Sequence, residues 1–267
     1  MKKYIYGLLF LGLTSYISPS EKEVIQPDKL EIKVQKMNTL GLIGGTSWHS
    51  TLDYYSAINQ AVNDHFGNNT NPPLLVYTLN QAEVHRFQRE DKWDSIAAML
   101  THAAKSLNKA GARSVMFCAN TPHKVYTTVQ DQLDFPVIHI ADATSKAIHK
   151  KGLKKVGFIG TKYSMTEDFI TGRIEDNGLE VLVPKEEKVI DELHRIIIEE
   201  LTYGEVKPES KKYVLSVINK MKDEGAEGII LGCTEFPLMI FEDDLDISIF
   251  DTTKIHSLSG VDYILNE

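Results

Sequence analysis

LGLIGGTS at residues 40–47 and VGFIGTKYS at residues 156–164 are two copies of one pattern, an apolar run that ends in Gly followed by hydroxyl side chains. A short, continuous apolar run of this kind reads as a strand buried on both faces. The Gly, Thr and Ser at its end are residues that turn a strand into a helix N-terminus. Working outward, further apolar runs appear at PLLVYTL, SVMFCAN, PVIHI, LEVLVP, GIILGC and SIFDT. Helical patterns separate them, near 50–65, 91–110, 122–132, 141–150, 164–177, 186–202 and 208–224. Buried strands alternating with helices predict parallel sheet, with ligands gathering at the carboxyl ends of the strands.

A second pair of segments repeats in the same way: SVMFCANTP (114–122) resembles GIILGCTEF (228–236). Thr46 precedes Ala119 by 73 residues, and Thr161 precedes Cys233 by 72. The matched spacing points to an internal duplication. It predicts an α/β chain of two similar Rossmann-like lobes with parallel sheets and an active site in the cleft between them. The first lobe is expected at 38–140 plus 251–267, the second at 141–250.

Composition narrows the function. The chain has 267 residues, 42% hydrophobic and 25% charged, enough to bury a sizeable core and unlike disordered, collagenous or coiled-coil sequences. Twenty-nine Lys and Arg against 37 Asp and Glu, without a basic tract beyond the start, leave no electrostatic footprint for nucleic acid. A small-molecule ligand is the default expectation. Residues 1–20, MKKYIYGLLFLGLTSYISPS, pair a basic start with an apolar stretch and small residues at a cleavage point, the signature of a secretory signal peptide. That stretch is too short for a membrane span. No membrane association is expected once it is removed. Residues 21–37 are a charged spacer. Export would place the protein in the periplasm or outside the cell, whereas translation from Met37 would leave it in the cytoplasm.

GLIGGT (41–46) fits neither the dinucleotide nor the P-loop pattern. It fits an anion site of backbone N–H groups with Thr46 and Ser47, suited to a substrate carboxylate. No zinc, calcium or serine-hydrolase motif occurs, and the nine His stand singly, so no metal site is expected. His139 reads as a core residue, while His123 and His256 lie near strand ends where they could line a cleft.

GCTEFP (232–237) is the sharpest feature. A strand delivers Cys233 at its carboxyl end with Thr234 and Glu235 following, where a helix N-terminus would lower the thiol pKa and make a thiolate base. On the partner strand, Asn120 and Thr121 have side chains suited to an amino acid's carboxylate and ammonium. Aligning the repeats sets Ala119 opposite Cys233 and Cys118 opposite Gly232. Strand alternation then turns Cys118 away from the cleft as a buried structural thiol.

GLIGGTSW, the NTPH after the third strand, HIADAT (139–144), GTKYSM (160–165) and GCTEFP together resemble the aspartate/glutamate racemase family, closest to its broad-specificity bacterial amino-acid racemase branch. The resemblance spans about residues 38–265. It implies a racemase needing no cofactor, including pyridoxal phosphate, with two residues, usually both Cys, on opposite faces of the substrate. Cys233 matches the second of these positions. Ala119 stands at the first, where Cys or sometimes Thr is expected. Asn120, Thr121, Thr161 and Thr234 resemble the family's substrate-contacting residues, with Thr46, Gln88 and Ser164 as looser matches. A homodimer is among the assemblies the family implies.

The leading expectation is an exported amino-acid racemase or epimerase with Cys233 as thiolate acid/base. Water, His123 or a shifted Cys118 would then have to serve the face left by Ala119, and Glu235 is a further candidate site residue. The alternatives are a one-Cys decarboxylase or isomerase of a related carboxylate, and an amino-acid-binding protein in which catalysis has decayed.

Overall fold

The structure, a computed structural model, describes residues 37–265; the expected signal and nearly all of the spacer lie outside the described residues. The first part of the chain forms β1 (Leu40–Gly44), α1 (Trp48–Phe66), β2 (Leu74–Thr78), α2 (Gln81–Arg89), α3 (Trp93–Lys109), β3 (Ser114–Phe117), α4 (Tyr126–Gln130) and β4 (Val137–Ile138). After α5 (Ile140–Lys150) come β5 (Lys155–Gly160), α6 (Lys162–Thr166), α7 (Asp168–Asp176), β6 (Glu180–Leu182), α8 (Glu187–Glu199) and α9 (Pro208–Asp223). The chain continues with β7 (Gly228–Gly232), β8 (Ser248–Asp251) and α10 (Thr252–Leu265).

The two four-stranded sheets share one order, β2-β1-β3-β4 and β6-β5-β7-β8, with neighbouring strands parallel throughout. The duplication read from sequence is therefore also a duplication of topology. Alternation divides the core of the first sheet. Ile43, Val115 and Phe117 pack with α3, while Leu40, Leu42, Met116 and Cys118 pack with Tyr54 and Ile58 of α1 and Ile264 of α10. Each such burial contributes about 1.5–3 kcal/mol. Asp251 pairs with Leu231 and so ends the second sheet, after which α10 returns to pack on α1 and α5.

Four elements differ from the sequence reading. The patterned helix near 122–132 begins as a 3-10 turn, Thr121–Val125, with Pro in its first turn, and only then becomes α4. PVIHI yields two strand residues, because His139 turns out of the sheet and its Nδ1 caps α5 by accepting from the Ala141 N–H at 3.0 Å. The helix near 164–177 is broken at Glu167, whose extended backbone separates α6 from α7. Finally, α2 was not anticipated: Val84 is its one buried residue, so it carries no apolar stripe to read.

Candidate active site

The carboxyl ends of β1, β3, β5 and β7 meet at a cleft of about 140 Å³. From the first lobe come Thr46, Gln88, Ala119, Asn120 and Thr121; from the second come Thr161, Cys233, Thr234 and Glu235. The turn after β1 requires glycine. Gly45 has φ +86°, and a side chain there would run into the backbone of Leu79. Its N–H donates to Thr51 Oγ1 at 3.0 Å, which fixes the turn that sends Thr46 to the cleft. Ser47 then caps α1 through its Oγ, accepting from the Ser50 N–H at 3.4 Å.

Backbone register gives the relation between the two strand ends without any alignment. Ile43 pairs with Phe117 in the first sheet as Ile159 pairs with Leu231 in the second. Gly232 pairs with Gly160, and Cys118 continues the first ladder by donating its N–H to Ile43 O at 3.0 Å. Counting one residue further, Ala119 holds in the first lobe the place that Cys233 holds in the second. Cys118 is buried in the core beside Leu42, where burial pushes its thiol pKa up. The same space in the second lobe is filled by Phe158, whose ring would collide with any side chain at Gly232. Ser50 Oγ also donates to the Cys118 carbonyl at 2.6 Å, further fixing this backbone.

Cys233 Sγ donates to Glu235 Oε2 at 2.8 Å. Burial raises the thiol well above its usual range, and the Glu235 charge and hydrogen bond add to this, while the backbone N–H groups of Glu235 and Thr234 pull it down. Burial and the Glu235 contact thus oppose the thiolate expected from the sequence, and the two backbone N–H groups favour it. A three-residue 3-10 turn, Phe236–Leu238, follows Cys233 in place of the anticipated α-helix, so no long helix terminus offsets burial.

Asn120 is 5% exposed. Its Nδ2 donates to Thr252 Oγ1 at 3.1 Å, and that hydroxyl donates to Leu231 O at 2.9 Å, tying the first lobe's strand end to β7. Asn120 Oδ1 has no hydrogen-bond partner among the described residues, leaving a buried acceptor where a ligand's N–H group could bind. Ser164 does not line the cleft. It is buried beneath Thr161, with Oγ 3.1 Å from Thr161 Oγ1, and supports that residue from below.

His123 also lies outside the cleft lining. Its Nδ1–H points at the carbonyls of Ala119, at 3.0 Å, and Asn120, at 3.1 Å, while Nε2 accepts from the Ile140 N–H at 3.3 Å. Both ring nitrogens are committed to backbone, and burial drives the pKa well below its usual value, holding the ring neutral. His256 is likewise buried, between Tyr54 Oη at 2.8 Å and Ile138 O at 2.9 Å.

Sequence reasoning missed several lining residues, namely His49, Gln81, His85, Tyr163 and His194. His85 Nε2–H donates to Thr46 O at 3.1 Å, and His194 Nδ1 accepts from the Lys162 N–H at 3.3 Å. Only their positions on helices facing the strand ends identify them, and α2, which carries His85 and Gln88, had no apolar stripe. Among the described residues, no group of three or more His, Cys, Asp or Glu converges as metal ligands, and no helix is long and apolar enough to cross a membrane.

The Asp/Glu/Hydantoin racemase family profile matches residues 43–258. The chain is similar to the glutamate racemase 3 of Caldanaerobacter subterraneus, 22% identical over 148 residues that make up 55% of this chain and 52% of the relative. It spans about half the length of the curated relatives it matches. Among solved structures, a candidate Asp/Glu racemase from Yersinia pestis is 39% identical with a TM-score of 0.82, covering 86% of this chain and 100% of its own. An aspartate racemase homologue from Pyrococcus horikoshii is 40% identical with a TM-score of 0.76, over the same 86% and 100%. With its doubled parallel sheet and a profile match across most of its length, this chain belongs to the Asp/Glu/Hydantoin racemase family.

Proposed function

We propose that the protein is a cofactor-independent amino-acid racemase or epimerase in which Cys233 moves the α-proton and Ala119, at the equivalent place in the other lobe, supplies no acid or base. The carrying observation is the Cys233–Glu235 hydrogen bond at the carboxyl end of β7. The Glu235 carboxylate takes the thiol proton as substrate binds. The sulfur then removes the α-proton, and the electron pair of the broken C–H bond delocalises into the substrate carboxylate. The amides of Thr234 and Glu235 steady the thiolate in the interval, and the turn at Gly45 and Thr46 receives the carboxylate as its charge grows.

Inversion requires a proton from the other face. Ala119 has none to give, so water entering the cleft delivers it, and return of the same proton from Cys233 competes. Proton exchange therefore outruns inversion. NMR of L- and D-amino acids in D2O tests this directly, with α-deuteration of one enantiomer faster than appearance of the other as the expected result. Absence of exchange with every amino acid would sink the proposal.

The Ala119 observation also favours a second reading, a decarboxylase or isomerase acting on a related carboxylate, because one-sided protonation needs only Cys233. Release of CO2 from small dicarboxylates without amino-acid exchange would select it.

A further inference from the structure

A second cavity, of about 460 Å³, adjoins the cleft and shares Glu235 and His49 with it. Asp53 of α1 and the side chains of Leu201, Tyr203 and Leu238 form much of its remaining wall. Neither cavity has a lysine or arginine in its lining. Asp53 holds no salt bridge among the described residues. Burial raises its carboxyl pKa, the charges of Asp251 and Glu235 raise it further, and His49 pulls the other way. Two carboxylates, Asp53 and Glu235, thus line this space with no arginine or lysine beside them.

A substrate carboxylate carried into such a space meets like charge, whereas a cation meets opposite charge. The apolar parts of the wall suit the methylenes of a long side chain, since lysine and arginine stems lie along apolar surface while their heads reach polar groups. The Tyr203 ring, 77% exposed, offers a face to a cation.

We infer that the second cavity is the side-chain subsite of the cleft, and that it selects a long side chain ending in an ammonium or guanidinium group over one ending in a carboxylate. The inference rests on the amino-acid reading of the cleft and names its substrate class. Asp53 is a specificity residue in it, removed from the reacting atoms.

The test compares α-proton exchange in D2O for L-lysine, L-ornithine, L-aspartate, L-glutamate and L-methionine at equal concentration. Lysine and ornithine should exchange at least about tenfold faster than aspartate and glutamate, a difference of about 1.4 kcal/mol. Asp53→Asn should raise KM for lysine while leaving its kcat, and the KM for methionine, unchanged. Exchange of aspartate or glutamate as fast as that of lysine overturns the inference and leaves the racemase proposal standing. If no amino acid exchanges, the racemase proposal falls, and calorimetric titration of the wild-type protein with lysine and with glutamate still decides the subsite. Tighter lysine binding upholds it; equal or weaker binding overturns it.

Discussion

Ala119 and Cys233 occupy equivalent positions at the ends of β3 and β7, each one residue beyond the backbone that pairs with the end of the neighbouring strand. A duplicated fold thus presents one thiol where its symmetry offers two places. Cys118 cannot supply the second, because its side chain fills the core on the far side of the strand.

Restoring the missing group is the most direct consequence. Ala119→Cys should put a thiol into the cleft and raise inversion relative to α-proton exchange by about 10²-fold, the lower range of a positioned acid or base. Chiral chromatography of product together with the NMR exchange rate gives the ratio. An unchanged ratio would break the assignment of Ala119.

Removing the thiol has the complementary effect. Cys233→Ala should lower exchange by at least about 10²-fold. Binding of the amino acid should survive, since Asn120, Thr121 and the Gly45 turn are untouched. Loss of both together, with a normal circular dichroism spectrum, would move Cys233 from the chemistry to the binding of substrate.

Glu235 sets the acidity of that thiol. Since its charge pushes the Cys233 pKa up, Glu235→Gln should move the ultraviolet thiolate transition to lower pH. Exchange should nevertheless fall, because the group receiving the thiol proton is gone. A transition unmoved or shifted upward would mean that burial alone governs Cys233.

The strand ends of this cleft were legible in the sequence because an apolar run that stops at Gly, Thr or Asn fixes both a buried strand and its carboxyl end. Cys233, Asn120, Thr161 and Thr46 could be placed for that reason. The helix-borne part was not legible. His85 and Gln88 sit on α2, which buries little, and His194 sits on α8, so nothing local marks the face turned to the cleft. The surroundings of Cys233 were not legible either, because they depend on burial and on the turn that brings Glu235 back to the sulfur. Neither is encoded in the spacing of two residues.

The two lobes are also tied at the side of the cleft. Lys124 Nζ pairs with Glu167 at 2.7 Å and lies 4.0 Å from the centre of the Trp93 ring, which meets Tyr163 edge-on at 5.8 Å. Trp93 and Lys124 belong to the first lobe's helices and turn, Tyr163 and Glu167 to the second. The pair is partly exposed, so its worth is at most about 1 kcal/mol. Lys124→Met should therefore change thermal stability little while loosening Tyr163 at the cleft wall. A KM several-fold higher at similar melting temperature is the expected outcome, and an unchanged KM would separate this contact from substrate binding.

Acid should unfold the protein through its buried imidazoles. His123, His139 and His256 form a contiguous cluster, with ring centres 4.5 and 5.7 Å from His123. Burial lowers the pKa of His139 to about 2 and that of His256 to about 3, with His123 also driven well down. In the unfolded chain each would protonate near about 6.5. The unfolded state therefore binds more protons below that pH, so stability is full above about 6.5 and is lost as pH falls toward the folded values. Each ring contributes up to about 1.4 kcal/mol per pH unit in that window. Urea titrations between about pH 7.5 and 5 should show the midpoint falling, with His256→Gln flattening the slope by about one proton. A midpoint that stays constant over this range would mean that these rings are charged in the folded protein, and the neutral tautomer assigned to His123 beneath Ala119 and Asn120 would fall with it.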